Sequence, residues 1–239
     1  MHKFLGRRIP ADAFLQVLCP LAAVPIMYGI GLNYKAHIAE AGFPTPDTPT
    51  VFTKPADALA GPYENIPISK DCQLTMDYEG ELTVIIGRPC KNLSPTDNPV
   101  DYIVGYTAGN DVSCRWWQMP ERSGNQHGYA KSFDKFGPIG PVIVSPSLIP
   151  DPGSLHLQTF VNGQERQSTG TDDLLFKIDD CIRHLSRGTT LRPGTIIMTG
   201  TPSGVGAFME PKGFLVDGDV VEVKISEIGT IRNKYVWEK

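Results

Sequence analysis

The chain has 239 residues, of which 41% are hydrophobic and 20% are charged, and its formal net charge at pH 7 is −4. This composition supports a sizeable core and argues against global disorder. Because the chain is acidic and has no basic stripe to match a row of phosphates, we expect no nucleic acid partner. The 24 glycines and 21 prolines, spread between short apolar runs, predict many turns and short strands rather than long helices.

The cysteines and the N-terminal stretch indicate in which cellular compartment the protein is expected. The five cysteines are odd in number and none lies in a C-x-x-C motif, which argues against a disulfide framework or a zinc site and favours a reducing environment. The apolar stretch over residues 13–27 is interrupted by Gln16, Pro20 and Pro25, which argues against a secretory signal peptide. No run reaches the ~20 apolar residues that a membrane span needs. We therefore expect a cytoplasmic protein, with mitochondria as the open alternative, and no membrane partner.

The chain begins with a segment that carries no evident chemistry. Residues 1–24 are predicted to form an N-terminal arm or a short strand segment. Residues 25–239 are predicted to form one β-rich domain, because no linker divides them. Residues 25–32 have the pattern of a buried strand. Asn33 is then expected to cap a short helix that ends at Gly42.

The rest of the chain is predicted to be mostly strands. Apolar and β-branched runs bounded by turn residues predict strands over residues 50–54, 77–86, 102–107, 141–144, 155–161, 165–168, 195–199, 219–225 and 231–237. The Asn162-Gly163 pair is typical of the type I′ turn of a hairpin. Apolar residues at helical spacing predict one longer helix over residues 172–186, with Gly188 at its end.

An acidic run, Asp77-Tyr78-Glu79-Gly80-Glu81-Leu82, opens one of these strands. Residues two apart on a strand share a face, so Glu79 and Glu81 should lie side by side, with Gly80 allowing close approach. Adjacent buried carboxylates repel, so the pair needs solvent, a shared proton or a hard cation such as Mg²⁺. A solvated strand face is the simpler alternative.

A third carboxylate, Asp111, follows the predicted strand over residues 102–107. Together with Glu79 and Glu81 it could bind one face of an octahedral ion and leave the opposite face open for water and substrate. Chance acidic triples are common, so the spacing alone leaves this open.

Further short motifs follow one another along the chain. They are Gly31-Leu32-Asn33-Tyr34 with His37 and Glu40, Phe52-Thr53-Lys54-Pro55, the acidic run, Gly105-Tyr106-Thr107, Asn110-Asp111-Val112-Ser113 with Arg115 and Gln118, Lys131-Ser132-Phe133-Asp134, Gly137-Pro138-Ile139-Gly140-Pro141, Val161-Asn162-Gly163, Thr199-Gly200-Thr201-Pro202-Ser203-Gly204-Val205-Gly206 and Gly218-Asp219-Val220-Val221-Glu222. In this order they resemble the fumarylacetoacetate hydrolase (FAH) family, in particular its acylpyruvate hydrolase and oxaloacetate decarboxylase branch. The resemblance runs from about residue 26 to the C-terminus.

The resemblance implies an α+β fold that is predominantly β, namely a FAH-like mixed β-sandwich roll with few short helices. It makes residues 25–239 a FAH-like catalytic domain and implies a homodimer. It also implies a divalent cation, Mg²⁺ with Mn²⁺ or Ca²⁺ as alternatives, and a small-molecule oxo acid as the substrate.

Roles for particular residues also follow from the resemblance. It implies the metal ligands Glu79, Glu81 and Asp111, the catalytic residues His37, Glu40 and Lys131, and the substrate-binding residues Arg115, Gln118 and Thr201. The residue types suit this chemistry, because a 2-oxo acid or a 1,3-dicarbonyl chelates an ion that stabilises an enolate. Glu40, three residues after His37, could hold the imidazole in one tautomer while His37 takes a proton from water.

Each of these residues has a simpler alternative. The alternatives are an exposed helix pair for His37 and Glu40, a surface charge for Lys131 and a loop contact for Arg115 and Gln118. Residues 199–206 could be a tight turn whose glycines serve only backbone geometry, and they lack the lysine of a phosphate-binding P-loop. His127 is expected to serve only loop packing.

The chain departs from the family pattern beside Arg115. The family often has an alanine and an aspartate at the two flanking positions, and here they are Cys114 and Trp116. A tryptophan adds bulk and an apolar face. We therefore expect Trp116 to line the pocket and to favour a larger or more apolar acyl group.

Three functional hypotheses follow. The first is a divalent-metal-dependent hydrolase that cleaves a C–C bond in an acylpyruvate-like 1,3-dicarbonyl acid through a metal-stabilised enolate. The second uses the same site as a decarboxylase or tautomerase of an oxaloacetate-like 2-oxo acid. The third is a non-catalytic protein in which the carboxylates hold a structural cation.

Overall fold

The structure, a computed structural model, describes residues 17–239. The predicted N-terminal arm over residues 1–24 lies mostly outside the described residues and stays a prediction. Within the described part the strands are, in chain order, β1 Met27–Gly31, β2 Thr50–Lys54, β3 Leu59–Ala60, β4 Ile66–Ile68, β5 Met76–Asp77, β6 Gly80–Ile86, β7 Ile103–Asn110, β8 Ser113–Cys114, β9 Gly137–Val144, β10 His156–Val161, β11 Gln164–Gly170, β12 Ile196–Met198, β13 Val220–Ile225 and β14 Gly229–Trp237.

The helices are short. Those of the described residues are α1 Lys35–Ala41, α2 Arg115–Gln118, α3 Pro120–Ser123 and α4 Ile178–Leu185, with short 3₁₀ turns between some of the strands. Among residues 17–239, none of these helices has the length and apolar character to cross a lipid bilayer.

Two large sheets and one short sheet organise the strands. The seven-stranded sheet has the order β2-β1-β12-β6-β7-β9-β3, the five-stranded sheet has the order β11-β10-β13-β14-β4, and β5 pairs with β8. Both large sheets are mixed, because β1 with β12, β3 with β9 and β4 with β14 are parallel pairs among antiparallel ones. The predicted α+β, predominantly β fold with mixed sheets and few short helices is therefore confirmed.

The strand β6 lies at the centre of the seven-stranded sheet, and all of its residues are buried. Alternate residues of a strand face opposite sides. Leu82, Val84 and Ile86 pack into the main core together with residues of β10 and β13 from the other large sheet. Ile85 packs on the opposite side in a smaller cluster with Met27. A strand covered on both faces gives a rigid base for the residues at its start.

The predicted continuous strand over residues 77–86 is interrupted at its beginning. β5 ends at Asp77, whose carboxylate accepts a hydrogen bond from the backbone N–H of Gly206 at 2.8 Å. β6 begins only at Gly80. A Cβ atom on Gly80 would lie 2.1 Å from the hydroxyl oxygen of Thr159, so only glycine lets the chain pass this close to β10.

Two helix boundaries differ from the prediction because of the contacts of Asn33. Its amide oxygen accepts from the backbone N–H of Phe176 at 2.8 Å, and its amide nitrogen donates to the carbonyls of Phe176 and Thr199 at 3.1 and 2.7 Å. The side chain is thus engaged across the fold, and the prediction that it caps α1 is wrong. The helix predicted over residues 172–186 begins only as α4, after Phe176, whose backbone is held by this side chain.

Two predicted turns have the expected backbone. Gly42 ends α1 in the left-handed conformation, with φ 67°. Asn162 and Gly163 have φ of 51° and 79°, both positive as a type I′ turn requires, and they join β10 to β11. Gly188 is also left-handed but lies beyond Ser186, which ends α4.

Candidate active site

Three carboxylates meet where β6 pairs with β7. Glu79 precedes β6, Glu81 lies within it and Asp111 follows β7, and the antiparallel register sets Gly80 opposite Asn110. One carboxylate oxygen of each acid lies within 4.8 Å of the other two. Their relative exposures, in chain order, are 7%, 1% and 0%. The alternative of a solvated strand face is therefore wrong.

Two buried lysines face these acids. The ammonium group of Lys131 donates to Glu79 at 2.8 Å and to Asp111 at 2.6 Å. Its third hydrogen bond, at 2.8 Å, goes to the hydroxyl of Ser113. Lys54 pairs with Asp111 from the other side. Both lysines are almost fully buried, so the alternative that Lys131 is a surface charge is wrong.

Arg115 ties the start of the acidic run to the site. Its Nε donates to Asp77 at 2.8 Å, and its Nη1 lies 2.6 Å from Glu79 and donates to Gln118 at 2.8 Å. Its Nη2 is buried and has no hydrogen-bond partner among residues 17–239. Burial raises the pKa of Glu79, but Lys131 and Arg115 outweigh that effect and hold it well below its usual range.

Glu81 is the acid without a cationic partner among the ion pairs of the described residues. Its carboxylate accepts a hydrogen bond from the backbone N–H of Gly200 at 2.7 Å. Burial, followed by the charges of Asp111 and Glu79, raises its pKa well above the usual range. A buried cluster of oxygen ligands with one carboxylate left uncompensated is the donor set that a hard divalent cation prefers. The residues present therefore fit a divalent metal.

His37 and Glu40 form a pair on α1. The Nδ1 of His37 lies 2.9 Å from one carboxylate oxygen of Glu40, and the other oxygen accepts from the backbone N–H of Gly204 at 3.1 Å. The imidazole is only 6% exposed and packs edge-on against Phe208, with ring centroids 5.5 Å apart. The alternative of an exposed helix pair is therefore wrong for His37. With Nδ1 directed at the carboxylate, Nε2 is the nitrogen left for proton transfer.

Two of the predicted substrate contacts have their polar atoms engaged within the protein. The hydroxyl of Thr201 donates to a carbonyl of β6 at 3.1 Å and accepts from Gln167 at 2.8 Å. The amide of Gln118 bridges Arg115 and His127, at 2.8 Å on each side. Thr201 and Gln118 both line the cavity, and their predicted substrate contacts stay predictions.

One cavity of about 320 Å³ is lined by several of these groups. Its polar wall includes Glu79, Arg115, Lys131, His37, Gln118, His127 and Thr201, and its aromatic wall is made by Phe43, Phe52 and Phe208. Trp116 is not part of this wall. It is half-buried beneath the guanidinium group of Arg122, which lies 3.4 Å from its ring centroid. The prediction that Trp116 lines the pocket is therefore wrong.

Three residues around the site were not predicted to be functional. Lys54 neutralises Asp111, and Asp77 holds the guanidinium of Arg115. Both lie in motifs that carry the resemblance, and that membership was the available signal. His127 lies in a stretch with no motif, so only the folded structure brings it to the cavity.

The chain matches a known family and several known proteins. The profile described as "Fumarylacetoacetate (FAA) hydrolase C-terminal" matches residues 26–236. The chain belongs to the fumarylacetoacetate hydrolase family. It is 41% identical over 238 residues to "Oxaloacetate tautomerase FAHD2A, mitochondrial" of Bos taurus, which covers 99% of this chain and 75% of that protein. It is 39% identical over 219 residues to the Homo sapiens protein of the same name, covering 92% of this chain and 69% of the relative.

Solved structures of this family resemble the fold closely. The "5-carboxymethyl-2-hydroxymuconate delta-isomerase" of Mycobacterium smegmatis superimposes with a TM-score of 0.80 at 39% identity, covering 93% of this chain and 82% of that one. The fumarylpyruvate hydrolase of Pseudomonas aeruginosa, solved "in complex with Mn2+ and pyruvate", has a TM-score of 0.80 at 30% identity, covering 90% and 91%.

These comparisons decide the class of the protein. The predicted family is confirmed by the match over residues 26–236. The prediction of an enzyme is confirmed as well, since relatives across this FAH family carry the names of a tautomerase, a hydrolase and an isomerase. The buried acidic cluster, together with the manganese in a FAH-family neighbour, supports a divalent metal.

Proposed function

We propose that this FAH-family enzyme interconverts the enol and keto forms of an oxaloacetate-like 2-oxo acid with the help of a divalent cation. The observation that carries the proposal is one cavity lined both by His37, whose ring is paired with Glu40, and by Glu79, one of the three clustered carboxylates. Relatives named oxaloacetate tautomerase, about 40% identical over nearly the whole chain, favour this reaction within the family.

The reaction moves one proton. In the ketonisation of the enol, a C–H bond forms at C3, the O–H bond at the C2 oxygen breaks, and the C=C double bond shifts to C=O. A divalent cation held by Glu79, Glu81 and Asp111 would supply the positive charge that stabilises the enolate. Mg²⁺ is the metal we propose, with Mn²⁺ and Ca²⁺ as alternatives, because the proposed ligands are all oxygens.

The protein's own residues divide the remaining work. His37 holds or releases the proton at Nε2, while Glu40 fixes its ring through Nδ1 at 2.9 Å. Lys131 contributes positive charge next to the carboxylates, since its three N–H groups are already used within the protein. Arg115 borders the cavity and contributes positive charge near the substrate's carboxylate end. The aromatic wall limits the access of water.

A second candidate is the hydrolysis of an acylpyruvate-like acid. The same histidine can take a proton from a water molecule that attacks the distal carbonyl. The similarity to a fumarylpyruvate hydrolase solved with pyruvate favours this candidate. Product analysis separates the reactions, because hydrolysis gives two acids, decarboxylation gives CO₂, and tautomerisation gives neither.

The proposal is tested by following the ultraviolet absorbance of enol-oxaloacetate with and without Mg²⁺. His37→Ala should lower kcat by about 10²- to 10⁴-fold, because it removes the group that carries the proton. His184→Ala, on α4 and outside the cavity, is the matched control and should keep the wild-type rate. Wild-type turnover in the His37→Ala variant, or no acceleration of ketonisation by the wild-type enzyme, would refute the proposal.

A further inference from the structure

A chain of hydrogen bonds along the cavity wall fixes the orientation of one further side chain. Arg115 donates from Nη1 to the amide oxygen of Gln118 at 2.8 Å. Arginine has only donors, so this end of the Gln118 amide must be the oxygen, and its nitrogen faces His127. The nitrogen of the amide lies 2.8 Å from Nδ1 of His127 and can only donate. Nδ1 is therefore the acceptor, and the neutral ring carries its proton on Nε2.

The His127 ring that carries this proton borders the cavity. The imidazole lines the same cavity as His37 and Lys131, and it stacks on Phe52 with ring centroids 6.2 Å apart and planes 29° apart. Nε2 makes no hydrogen bond within the described residues, so this N–H is a free donor. Burial, and then the nearby charge of Lys131, lower the pKa of the ring, which agrees with a neutral imidazole.

We propose that His127 is a specificity-determining residue whose Nε2–H donates to an oxygen on the substrate's arm beyond C2. The inference rests on the proposed function for the identity of the substrate. The C1 carboxylate and C2 oxygen are matched by the cationic end of the cavity, where Arg115 and Lys131 lie. The remaining wall is largely aromatic, with Phe43, Phe52 and Phe208. A neutral donor on such a wall favours 2-oxo acids whose arm ends in a carboxylate or a carbonyl over those with an alkyl arm.

This assignment also changes the role expected of Gln118. Both ends of its amide are used, one on Arg115 and one on His127. Gln118 is thus a positioning residue that sets the tautomer of His127, and His127 presents the donor to the substrate.

Two substitutions at His127 separate the free donor from the internal contact. A glutamine places an amide nitrogen near the position of Nε2, whereas an asparagine places an amide oxygen near the position of Nδ1. His127→Gln therefore keeps the donor, and His127→Asn keeps only the contact with Gln118. If His127 served only loop packing, as predicted from the sequence, His127→Asn would be the milder of the two changes.

The probes are two unreactive acids, bound to the Mg²⁺-loaded full chain and followed by calorimetry. Oxalate resembles the C1–C2 end and has no arm, and malate has the arm of oxaloacetate. His127→Asn should weaken malate binding by about 10-fold or more, the usual effect of losing a hydrogen bond to a charged group, and should leave oxalate binding unchanged. His127→Gln should bind both acids within about threefold of wild type. Thermal unfolding confirms that both variants are folded.

The outcomes for the inference and for the proposed function are distinct. Equal malate affinity in the two variants, or a parallel loss of oxalate binding, overturns the inference even where the wild type converts oxaloacetate. A selective loss of malate binding in His127→Asn, in a protein that does not convert oxaloacetate, supports the inference and overturns the proposed function. Nitrogen NMR of the imidazole gives a direct check, because a proton found on Nδ1 rather than Nε2 overturns the inference.

Discussion

At the scale of single residues, burial changes what each charged group can do. The short spacing of Glu79 and Glu81 suggested a shared face from the sequence alone, and the structure brings both to Asp111. The sequence could not show which acid would lack a cation, because Lys54 and Lys131 reach the site from other parts of the chain. That distribution of partners exists only in the folded protein.

The uncompensated carboxylate of Glu81 leads to a prediction about metal binding. In the absence of a divalent cation, Glu81→Gln should raise the Tm at neutral pH, because burial and the charges of Asp111 and Glu79 penalise ionisation of Glu81, whereas an amide has no such penalty and can still accept from Gly200. The increase in Tm caused by Mg²⁺ should be smaller in the Glu81→Gln variant than in the wild type. In the wild type, Mg²⁺ at 100 times its Kd should add about 2.7 kcal/mol to the free energy of unfolding.

Thermal unfolding with chelator and with Mg²⁺ measures both effects. The exposed residue Glu238 provides the control, since Glu238→Gln should change neither value. A lower Tm of Glu81→Gln in chelator, with an undiminished response to Mg²⁺, would show that Glu81 is not part of a cation site.

At the scale of secondary-structure elements, β1 and β2 support the aromatic wall of the cavity. The ring of Phe52, on β2, lies directly over Gly29 of β1, where a Cβ atom would approach the ring to 2.1 Å. The ammonium group of Lys131 lies 4.7 Å from the centroid of the same ring, and His127 stacks on it. Because Gly29 has no side chain, the ring of Phe52 can occupy this position. The same ring contacts Lys131 and His127, so Gly29 affects the placement of both.

This packing gives a matched pair of substitutions on one strand. Gly29→Ala should lower the free energy of unfolding by about 1–3 kcal/mol, because the added methyl group overpacks the site of Phe52. At Gly31 the nearest atom to an added Cβ is 3.6 Å away. Gly31→Ala should therefore change the free energy of unfolding by less than about 0.5 kcal/mol. Urea unfolding measures both, and equal effects would contradict the packing argument.

The sequence was informative about elements where the signal is local. The turn at Asn162-Gly163 and the end of α1 at Gly42 depend on residue type and backbone conformation, and both were predicted. The start of α4 was not, because Asn33 binds the backbone of Phe176 from a distant part of the chain. The prediction for Trp116 was wrong for a different reason, because the direction of a side chain is set by packing, and here the ring lies beneath Arg122 rather than at the cavity.

At the scale of the whole molecule, the C-terminal strand is joined to the site. Asn110, at the end of β7, accepts from the backbone N–H of Glu79 at 2.9 Å and donates to the hydroxyl of Tyr235 on β14 at 3.1 Å. Residues far apart in the chain thus depend on one another. The order of the motifs revealed the family, but these long-range connections follow from the topology of the two sheets.

The buried contact between Asn110 and Tyr235 is open to test. Tyr235→Phe should lower the free energy of unfolding by about 1–3 kcal/mol, because it leaves a buried amide donor without a partner. Tyr63 is 48% exposed and donates at 3.3 Å to a surface carbonyl, so Tyr63→Phe should cost less than about 0.5 kcal/mol. Chemical unfolding of both variants measures the difference, and similar losses would argue against a coupled C-terminal strand.

Main-chain N–H groups of residues 200–208 donate hydrogen bonds to three acids that have different roles in the site. Gly200 donates to Glu81, Gly204 to Glu40, and Gly206 to Asp77. Because these attachments use the backbone, they do not depend on the side chains of Ala207 and Phe208. Ala207 and Phe208 face the cavity, so new substrate preferences can evolve there while the catalytic groups stay in register.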